Sequence, residues 1–365
     1  MIKKKLFGGF YQDKVVFVTG HTGFQGSWLS LWLTLLGAKV IGYSLPPSTN
    51  PSLFNLLNFK KTITSKIYDI NNKNRLFSEL SKHKPDIVIH LAAQALVRKS
   101  YENPIETFST NIIGTVNLLE SIRDVSSVKA CLVMSSDKAY ENKEWNYAYR
   151  ENDPMGGHDP YSASKGAAEL VVSSYRRSFF NQKNSLGIAS IRAGNVIGGG
   201  DWAQDRIIPD CIRSILSNKK IILRNPKAVR PWQYVLESLS GLLLVGSKLT
   251  KNSQRFGEAW NIGPMTNDVS VKDLTEKIIK KLGSGTITVK RNHLHEAKYL
   301  RLDSSKISNI LKWKPTYSFE ESIEETINWY LNYKKNKKTI HDYTVSQIEN
   351  YVSKANKVKN VWAGN

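Results

Sequence analysis

Short apolar runs alternate with amphipathic stretches along most of this chain. Residues 15–19 and 39–44 form apolar runs, and residues 24–36 between them place large apolar side chains at helical spacing. These periods predict a strand, a helix and a second strand. Further predicted elements are strands at 62–70, 86–93, 129–134, 187–192 and 259–263 and helices at 74–82, 105–123, 237–249, 271–282 and 319–333. Such alternation indicates an α/β fold with a doubly wound parallel sheet.

The turn between the first strand and the first helix is rich in glycine. Its candidate ligand-binding residues are Gly20, His21, Gly23, Phe24, Gln25 and Gly26. Glycine lets the backbone approach a pyrophosphate, which rests on the N–H groups and the positive dipole of the helix start. The position favours a dinucleotide site of the Rossmann type over a tight turn without a ligand. The second strand ends at Ser44 without an Asp, Glu or Arg, which leaves NAD versus NADP open.

Composition narrows the classes of protein. The 365 residues have a formal net charge of +21 and two cysteines, Cys131 and Cys211, which we interpret as core residues. No apolar run predicts a membrane span, the first residues lack the apolar core of a secretion signal, and we expect a cytoplasmic protein. The lysines are scattered, which favours a solvated basic surface or an anionic small molecule over nucleic-acid binding. The histidines show no metal-site spacing.

Candidate catalytic residues follow the strand predicted at 129–134. Ser136, Asp137 and Lys138 come just after that strand, and Tyr161 and Lys165 lie one turn apart on a predicted helix. Tyrosine is normally protonated, but a neighbouring ammonium group and a cationic nicotinamide favour the phenolate. Tyr161 therefore fits a general base for an alcohol proton. The alternative is an ordinary surface pair, which describes most Tyr-x-x-x-Lys sequences.

The glycine turn, the serine and the Tyr/Lys pair together resemble the extended short-chain dehydrogenase/reductase family. At Asp137-Lys138 the sequence is similar to the nucleotide-sugar 4,6-dehydratases, which carry an acidic residue after the catalytic Ser or Thr. Most continue with Glu, whereas the branch that acts on CDP-glucose resembles this chain in having Lys. Further stretches similar to that branch are 18–30, 90–94, 142–145, 192–202, 230–237 and 295–297.

This resemblance implies NAD as the cofactor, CDP-glucose as the substrate and a role in deoxysugar synthesis. Tyr161, aided by Ser136 and Lys165, would accept the C4 hydroxyl proton, and Asp137 would protonate the leaving O6. Lys138 is the candidate base at C5, with a salt bridge to Asp137 or to phosphate as the alternative. The other implied cofactor-binding residues are Asp69, Ile70, Leu91, Ala92 and Ala93, together with Tyr161 and Lys165. The implied substrate-binding residues are Gln94, Asn195, Arg206, Arg230, Tyr234 and Glu296.

The same patterns predict two interleaved domains and a tail. The predicted divisions are a dinucleotide-binding domain at 1–191 and about 232–263, a smaller α/β substrate domain at 192–231 and 264–335, and a basic tail at 336–365. The tail has few core residues, so we expect an arm or a partly disordered segment. The resemblance also implies a homodimer or higher homo-oligomer formed by the helices near Ile105 and Tyr161.

Other functions remain open at this point. An epimerase or decarboxylase of the same family would use the Tyr/Lys pair but has no need of Asp137 and Lys138. A dehydratase for a dTDP, UDP or GDP hexose is also compatible with the sequence. A more distant alternative is a dinucleotide-sensing regulator that binds nucleic acid, although such a protein has no reason to retain Ser136, Tyr161 and Lys165 together.

Overall fold

The computed structural model describes residues 6–59, 62–180, 186–265, 269–290, 295 and 297–364. The strands are β1 (Val15–Thr19), β2 (Lys39–Ser44), β3 (Thr64–Ile67), β4 (Ile87–His90), β5 (Ala130–Ser136), β6 (Gly187–Ala193), β7 (Asn195–Ile197), β8 (Ile221–Leu223), β9 (Val229–Arg230), β10 (Trp232–Tyr234), β11 (Ala259–Ile262), β12 (Val269–Ser270) and β13 (Ile287–Val289). The helices are α1 (Phe24–Leu35), α2 (Leu53–Leu57), α3 (Lys73–His83), α4 (Val97–Glu102), α5 (Pro104–Phe108), α6 (Gly114–Arg123), α7 (Pro160–Tyr175), α8 (Ile207–Leu216), α9 (Val235–Leu249), α10 (Ser253–Phe256), α11 (Val271–Leu282), α12 (Ser305–Leu311), α13 (Phe319–Lys335) and α14 (Ile340–Lys357).

A seven-stranded parallel sheet forms the centre of the molecule. Its strand order is β11-β6-β5-β4-β1-β2-β3, so the order reverses between β1 and β4. Helices α1, α9 and α14 cover one face, and α3, α6 and α7 cover the other. The predicted doubly wound fold is therefore confirmed. In such a sheet, ligands bind beyond the carboxyl ends of the strands at the reversal point.

Shorter strand pairs lie beside this sheet. Strands β8 and β13 pair in parallel, with α8 and α11 packed nearby, and β9 pairs with β12 in antiparallel orientation. Strand β7 continues from β6 and pairs with β10. Helix α9 and strand β11 then return the chain to the large sheet. The path of the chain thus passes from the large sheet to the short pairs and back again.

The helix predicted at 105–123 is interrupted. A π-helical segment, Ser109–Ile113, separates α5 from α6. Within it, the Asn111 side chain accepts a hydrogen bond from the Gln94 amide at 2.9 Å and donates to the Gln94 carbonyl at 3.0 Å. A π turn often occurs where a helix serves a local contact. Here it contains the residue that holds the loop after β4.

The predicted C-terminal arm is wrong, because this segment forms α14 and packs into the core. Tyr351 and Trp362 are fully buried, and their rings stack with centroids 5.5 Å apart. Trp362 also packs against Phe7 and against Trp32 of α1. The apolar residues of α14 recur at helical spacing between many polar ones, and the sequence did not show that α1 supplies their partner surface.

None of the helices in the described part of the chain has the length and apolar character needed to cross a bilayer.

The packing of the C-terminal segment gives a first prediction. Replacing Trp362 with alanine should lower the free energy of unfolding by about 3–5 kcal/mol, because it leaves a large cavity between α1 and α14. Urea unfolding followed by circular dichroism measures the change. Trp145→Ala is the matched control, since that ring is 42% exposed and its loss should cost less than about 1 kcal/mol. Equal losses in the two variants would contradict the packing described here.

Candidate active site

A large cleft of about 650 Å³ opens at the carboxyl ends of the strands, where the sheet order reverses. All five predicted catalytic residues line it, and so do all the predicted cofactor-binding residues except His21. Of the predicted substrate-binding residues, Gln94, Asn195, Arg206 and Arg230 line the same cleft. The strand ends therefore bring residues that are distant in sequence into one cavity.

The glycine turn after β1 has the shape of a phosphate cradle. Gly20 has a φ of +74°, and a Cβ there would lie 2.7 Å from the Ala92 amide nitrogen. A Cβ at Gly26 would lie 2.1 Å from the Gly20 carbonyl oxygen. The fold itself thus requires these two glycines. Gly23 precedes α1 and leaves the amino end of that helix open to the cleft, which fits the pyrophosphate of a dinucleotide.

The structure does not bring the His21 side chain to the cleft. Its ring is fully buried against Gly42 of β2, where a Cβ would lie 2.3 Å from the ring. His21 Nε2 lies 2.7 Å from the Ser65 hydroxyl oxygen. Burial lowers the pKa of this imidazole to about 4, so the ring is neutral. The His21 side chain therefore points away from the cleft. It packs against β2 and hydrogen-bonds to β3.

The predicted dinucleotide rim is built by two strand ends. After β4, the Thr19 hydroxyl accepts hydrogen bonds from the amides of Leu91 and Ala92, both at 3.2 Å. After β3, the Asp69 carbonyl accepts a hydrogen bond from the Tyr43 hydroxyl at 3.0 Å. These contacts fix the loops that carry 69–70 and 91–93 along the cleft.

Ser136 joins the two groups of predicted catalytic residues. It is the last residue of β5, and its hydroxyl donates to Asp137 Oδ1 at 3.0 Å. The Ser136 hydroxyl oxygen accepts a hydrogen bond from the Lys138 amide at 3.2 Å, and it is also hydrogen-bonded to the Tyr161 hydroxyl. Tyr161 and Lys165 lie in the first turns of α7, as predicted. The phenol and the acid that follows β5 thus share one hydroxyl partner.

Burial dominates the electrostatics of this pair. It raises the pKa of the Tyr161 phenol to about 12, although the hydrogen bond shared with Ser136 and the charge of Arg206 lower it. It also lowers the pKa of the Lys165 ammonium to about 8, against an opposing effect of Glu169. Lys165 Nζ donates to the Met134 carbonyl at 3.4 Å. The phenol is therefore protonated in the protein alone, and the phenolate beside a bound cationic nicotinamide stays a prediction.

Asp137 has one oxygen aimed at no protein donor. The residue is only 2% exposed, and its Oδ2 has no hydrogen-bond partner among the described residues. A buried carboxylate oxygen without a partner is costly, and it marks a place where a ligand group or a proton can bind. Lys138 is half-buried and lines the same cleft.

A buried ion pair connects α7 to the turn after β5. The Arg192 guanidinium donates to Glu169 Oε2 at 2.9 Å and to the Tyr140 hydroxyl at 2.9 Å. The Tyr140 hydroxyl in turn donates to the Asn261 side chain at 2.7 Å. Glu169 lies one turn after Lys165, and Tyr140 lies two residues after Lys138. This network connects the helix that carries Tyr161 and Lys165 to the turn that carries Asp137 and Lys138.

The predicted substrate-binding residues differ in how free they are. Arg206 pairs with Asp201 at 3.0 Å and is close enough to lower the pKa of Tyr161. Arg230 donates to the carbonyls of Val229 and Ala297. The Gln94 amide group is hydrogen-bonded at both ends to protein groups, at 2.7–3.0 Å. Gln94 therefore shapes the loop after β4 as much as it lines the cleft.

Two predicted substrate-binding residues are not found in the cleft. Tyr234 is fully buried, and its ring packs against Trp28 and Tyr317. It is the last residue of β10, and that strand belongs to a short pair with β7 rather than to the large sheet whose strand ends form the cleft. Glu296 lies outside the described residues.

Sequence reasoning missed several charged residues of the cleft, among them Arg98, Asp205 and Arg224. Asp205 pairs with Arg224 at 2.6 Å and lies 3.8 Å from Arg98 of α4. All three line the cleft, and this ion pair links the large sheet's side to the segment around β8. Arg98 could have been found, because it follows the end of a buried strand by a few residues. Asp205 carries no such signal.

The described residues hold no cluster of three or more His, Cys, Asp or Glu side chains that could bind a metal ion.

The fold, the glycine cradle and the Tyr/Lys pair define a member of the extended short-chain dehydrogenase/reductase class. The family model described as GDP-mannose 4,6 dehydratase matches residues 17–326, and the chain belongs to this family. The chain is 50% identical to the CDP-glucose 4,6-dehydratase of Salmonella typhimurium, over 88% of this chain and 91% of that one. It is 29% identical to the UDP-glucuronate 4-epimerase of Thermodesulfobacterium geofontis, over 86% of this chain and 94% of that one.

Solved structures share the same fold. A dTDP-glucose 4,6-dehydratase from Streptomyces venezuelae, solved with NAD and TYD bound, superposes with a TM-score of 0.77. The match is 24% identical and covers 88% of this chain and 98% of that one.

The burial of Lys165 predicts a trade between stability and activity. Lys165→Met should abolish activity yet raise the free energy of unfolding at pH 7 by about 1–3 kcal/mol, because a charged group no longer has to be desolvated. The pKa of Lys165 is about 8 in the folded protein and 10.5 when unperturbed, so the cost is full below pH 8 and fades towards pH 10.5. Urea unfolding of both proteins across this range measures it. A stability difference between Lys165→Met and the wild type that grows with pH would contradict the lowered pKa of Lys165.

Proposed function

We propose that this protein is an NAD-dependent dehydratase that converts CDP-D-glucose to CDP-4-dehydro-6-deoxy-D-glucose and water, in deoxysugar synthesis. The observation that supports this most directly is the Ser136 hydroxyl, which links Tyr161 to Asp137 in one cleft. Dehydration of a sugar at C5 and C6 needs a C4 ketone first, since the ketone makes the C5 proton acidic. A base for oxidation and an acid for elimination must therefore lie beside the same ring. The name of the 50% identical relative agrees with this chemistry.

In the first step the protein removes a proton from the C4 hydroxyl. The glycine cradle would hold NAD, which when bound would supply a hydride acceptor for C4 and a hydride donor for C6. Tyr161 accepts the hydroxyl proton, and the Ser136 hydroxyl holds the phenol towards the ring. The positive charge of Arg206 favours the phenolate, while Lys165 stands one turn away. The contact with Ser136 and the charge of Arg206 oppose only part of the effect of burial, which raises the pKa of the phenol.

Elimination uses the residues after β5. Asp137 Oδ2, which has no partner among the described residues, is placed to carry the proton to the leaving O6. Lys138 lines the cleft two residues after Ser136, and we propose it as the base that removes the C5 proton and returns a proton to C5 when C6 receives the hydride. A lysine base must be neutral to accept that proton. Arg206 and Arg230 line the same cleft and suit the diphosphate, because a guanidinium can donate two parallel hydrogen bonds.

An epimerase of the same family is the second candidate, and it shares the Tyr/Lys pair. An epimerase re-reduces the C4 ketone from its opposite face after the sugar has turned, and it performs no elimination. It would therefore leave a buried Asp137 without a task. A different nucleotide hexose remains the nearer alternative, and parallel assays with dTDP-, UDP- and GDP-glucose distinguish it.

The fate of a C4 label tests the proposed reaction. With CDP-glucose deuterated at C4, we expect deuterium at C6 of the product, because the hydride removed from C4 returns to C6 of the same sugar. Mass spectrometry and proton NMR of the product measure it. Deuterium retained at C4, or released to solvent, would reject the internal transfer.

The variant Asp137→Asn tests the elimination step. The amide keeps the shape of the side chain but cannot deliver a proton to O6, so the reaction should stop after oxidation. Reduced cofactor should then accumulate in the 340 nm band, with turnover lowered by about 10²-fold or more. Turnover equal to the wild type would remove Asp137 from the mechanism.

We also propose that the protein forms a homodimer through the helices that flank the sheet at α5 and α7. Three large apolar side chains are strongly exposed there: Ile105 is 84%, Ile113 is 51% and Leu170 is 62% exposed. The α5 to α6 region packs against α7, so the three belong to neighbouring helices on one side of the sheet. Apolar residues grouped in this way mark a contact surface. Both cysteines are free thiols, which is compatible with a reducing cytoplasm, and we propose that the homodimer acts there without binding nucleic acid.

A charge placed on this surface should break the dimer. We expect Leu170→Asp to yield monomers with intact secondary structure, because the carboxylate would be desolvated at the interface. Multi-angle light scattering after size exclusion measures the mass. Leu331→Asp is the control, since Leu331 is 43% exposed on α13, away from these helices, and its change should leave the mass unaltered. A dimeric Leu170→Asp protein would rule out this surface.

A further inference from the structure

The proposed reaction leaves one proton on the wrong residue of the protein. Oxidation at C4 breaks the O–H bond of the sugar and adds a proton to the Tyr161 phenolate. Elimination breaks the C6–O6 bond, and Asp137 gives up a proton as O6 leaves in water. Lys138 takes the C5 proton and returns one to C5, so it ends unchanged. After each turnover Tyr161 therefore holds the proton that Asp137 has lost, although the overall reaction neither takes up nor releases a proton.

The hydrogen bonds of Ser136 run in the direction that corrects this imbalance. The Ser136 hydroxyl donates to Asp137 Oδ1 at 3.0 Å, and a hydroxyl has one proton to donate. In its contact with Ser136 the Tyr161 phenol must therefore be the donor, which agrees with a phenol that is protonated in the protein alone. The chain runs from Tyr161 O–H to Ser136 Oγ–H to Asp137 Oδ1. A proton can pass from each oxygen to the next along it.

The two ends of this chain compete for one proton. The negative charge of Asp137 raises the pKa of the Tyr161 phenol, so protonation of Asp137 makes the phenolate easier to form. Among the other charges that face the phenol, Arg206 lowers this pKa and Asp159 raises it. Tyr161, Ser136 and Asp137 are each at most 8% exposed, which hinders exchange of their protons with solvent. Transfer inside the protein is therefore the shorter route.

We propose that Ser136 is a proton relay, which moves the proton of the Tyr161 phenol to the Asp137 carboxylate before each turnover. The Tyr161 O–H and Ser136 Oγ–H bonds break, and O–H bonds form at Ser136 Oγ and Asp137 Oδ1. A half-turn about χ2, a broad two-fold torsion in Asp, then brings the protonated oxygen to the position of Oδ2, which has no hydrogen-bond partner among the described residues. One transfer thus prepares the base for C4 and the acid for O6.

The relay rests on the proposed function and adds to it a source for both protons. The phenolate is favoured when a cationic nicotinamide is bound beside it, so we expect the proton to move towards Asp137 when the glycine cradle is filled. Because Asp137 keeps the proton, the phenolate forms without release of a proton to solvent.

The count of protons released on cofactor binding tests the relay without turnover. NAD is titrated at neutral pH into the full-length protein, freed of any dinucleotide that co-purifies, in phosphate, HEPES and Tris. The dependence of the calorimetric heat on the buffer counts the protons, and the ultraviolet difference spectrum detects ionised tyrosine. We expect a phenolate signal with no net release of protons. Release of about one proton per phenolate, or no phenolate signal, would overturn the relay.

Two variants identify the groups at the ends of the chain. Tyr161→Phe should remove the phenolate signal, and a signal that persists there would count against the relay. Asp137→Asn has no carboxylate to accept the proton, so the phenolate should either be lost or be accompanied by release of about one proton. A phenolate formed in Asp137→Asn without proton release would mean that another group accepts the proton, and the relay would be rejected.

The first and the later turnovers separate a relay from a positioning role of Ser136. Ser136→Ala is incubated with NAD, mixed with excess CDP-glucose and quenched at increasing times. The first turnover should slow because the phenol loses a hydrogen bond, and the later ones should be slower again by at least about tenfold, because the proton must pass through solvent. Imidazole, a soluble proton carrier, should accelerate only the later turnovers. Ser136→Thr keeps the γ-hydroxyl and should show neither effect.

Equal slowing of the first and later turnovers in Ser136→Ala, without an effect of imidazole, would show that the hydroxyl only positions the phenol, and would overturn the relay. The proton count decides the case if this variant has no measurable first turnover. The C4 label separates these failures from a failure of the reaction itself. Deuterium at C6 together with proton release would overturn the relay alone, whereas no deuterium at C6 would overturn both.

Discussion

The hydroxyl of Ser136 is the contact on which the site depends. It donates to Asp137 and is hydrogen-bonded to Tyr161, so one oxygen fixes the group that would oxidise a sugar and the group that would dehydrate it. Oxidation at C4 and elimination at C5 and C6 take place on neighbouring carbons of one hexose, only a few ångströms apart. A rigid hydroxyl at a strand end holds that separation better than a mobile loop.

Burial gives these groups their character and also makes them costly. It keeps the phenol of Tyr161 protonated in the protein alone, and it brings the pKa of Lys165 towards neutrality. The ion pair between Arg192 and Glu169 lies behind them, and both members are nearly inaccessible to solvent. Buried charges persist only when they are paired and hydrogen-bonded. Burial of these charged groups is therefore destabilising, and the packing of the large sheet and of α14 compensates for it.

The sequence predicted the sheet well because the strands between two helical layers are almost continuously apolar. It also predicted the glycine turn and the Tyr/Lys pair, whose spacing is local to one turn or one helix. The prediction was wrong for the C-terminal segment, since α14 is amphipathic only in relation to a surface on α1. His21 was predicted in the cleft from its place in the turn, but its ring packs against Gly42 of β2 instead. Both α1, the partner of α14, and Gly42, the partner of His21, are distant in sequence from the residues they contact.

The sequence alone determined which residues follow each buried strand and which lie one turn apart on a helix, because both are properties of a local backbone period. Only the tertiary structure decided that Ser136 joins Tyr161 to Asp137, that Asp205 links Arg98 to Arg224, and that Tyr234 points into the core. These contacts depend on how separate elements pack. A side chain finds its partner across space, and no spacing within the chain encodes that distance.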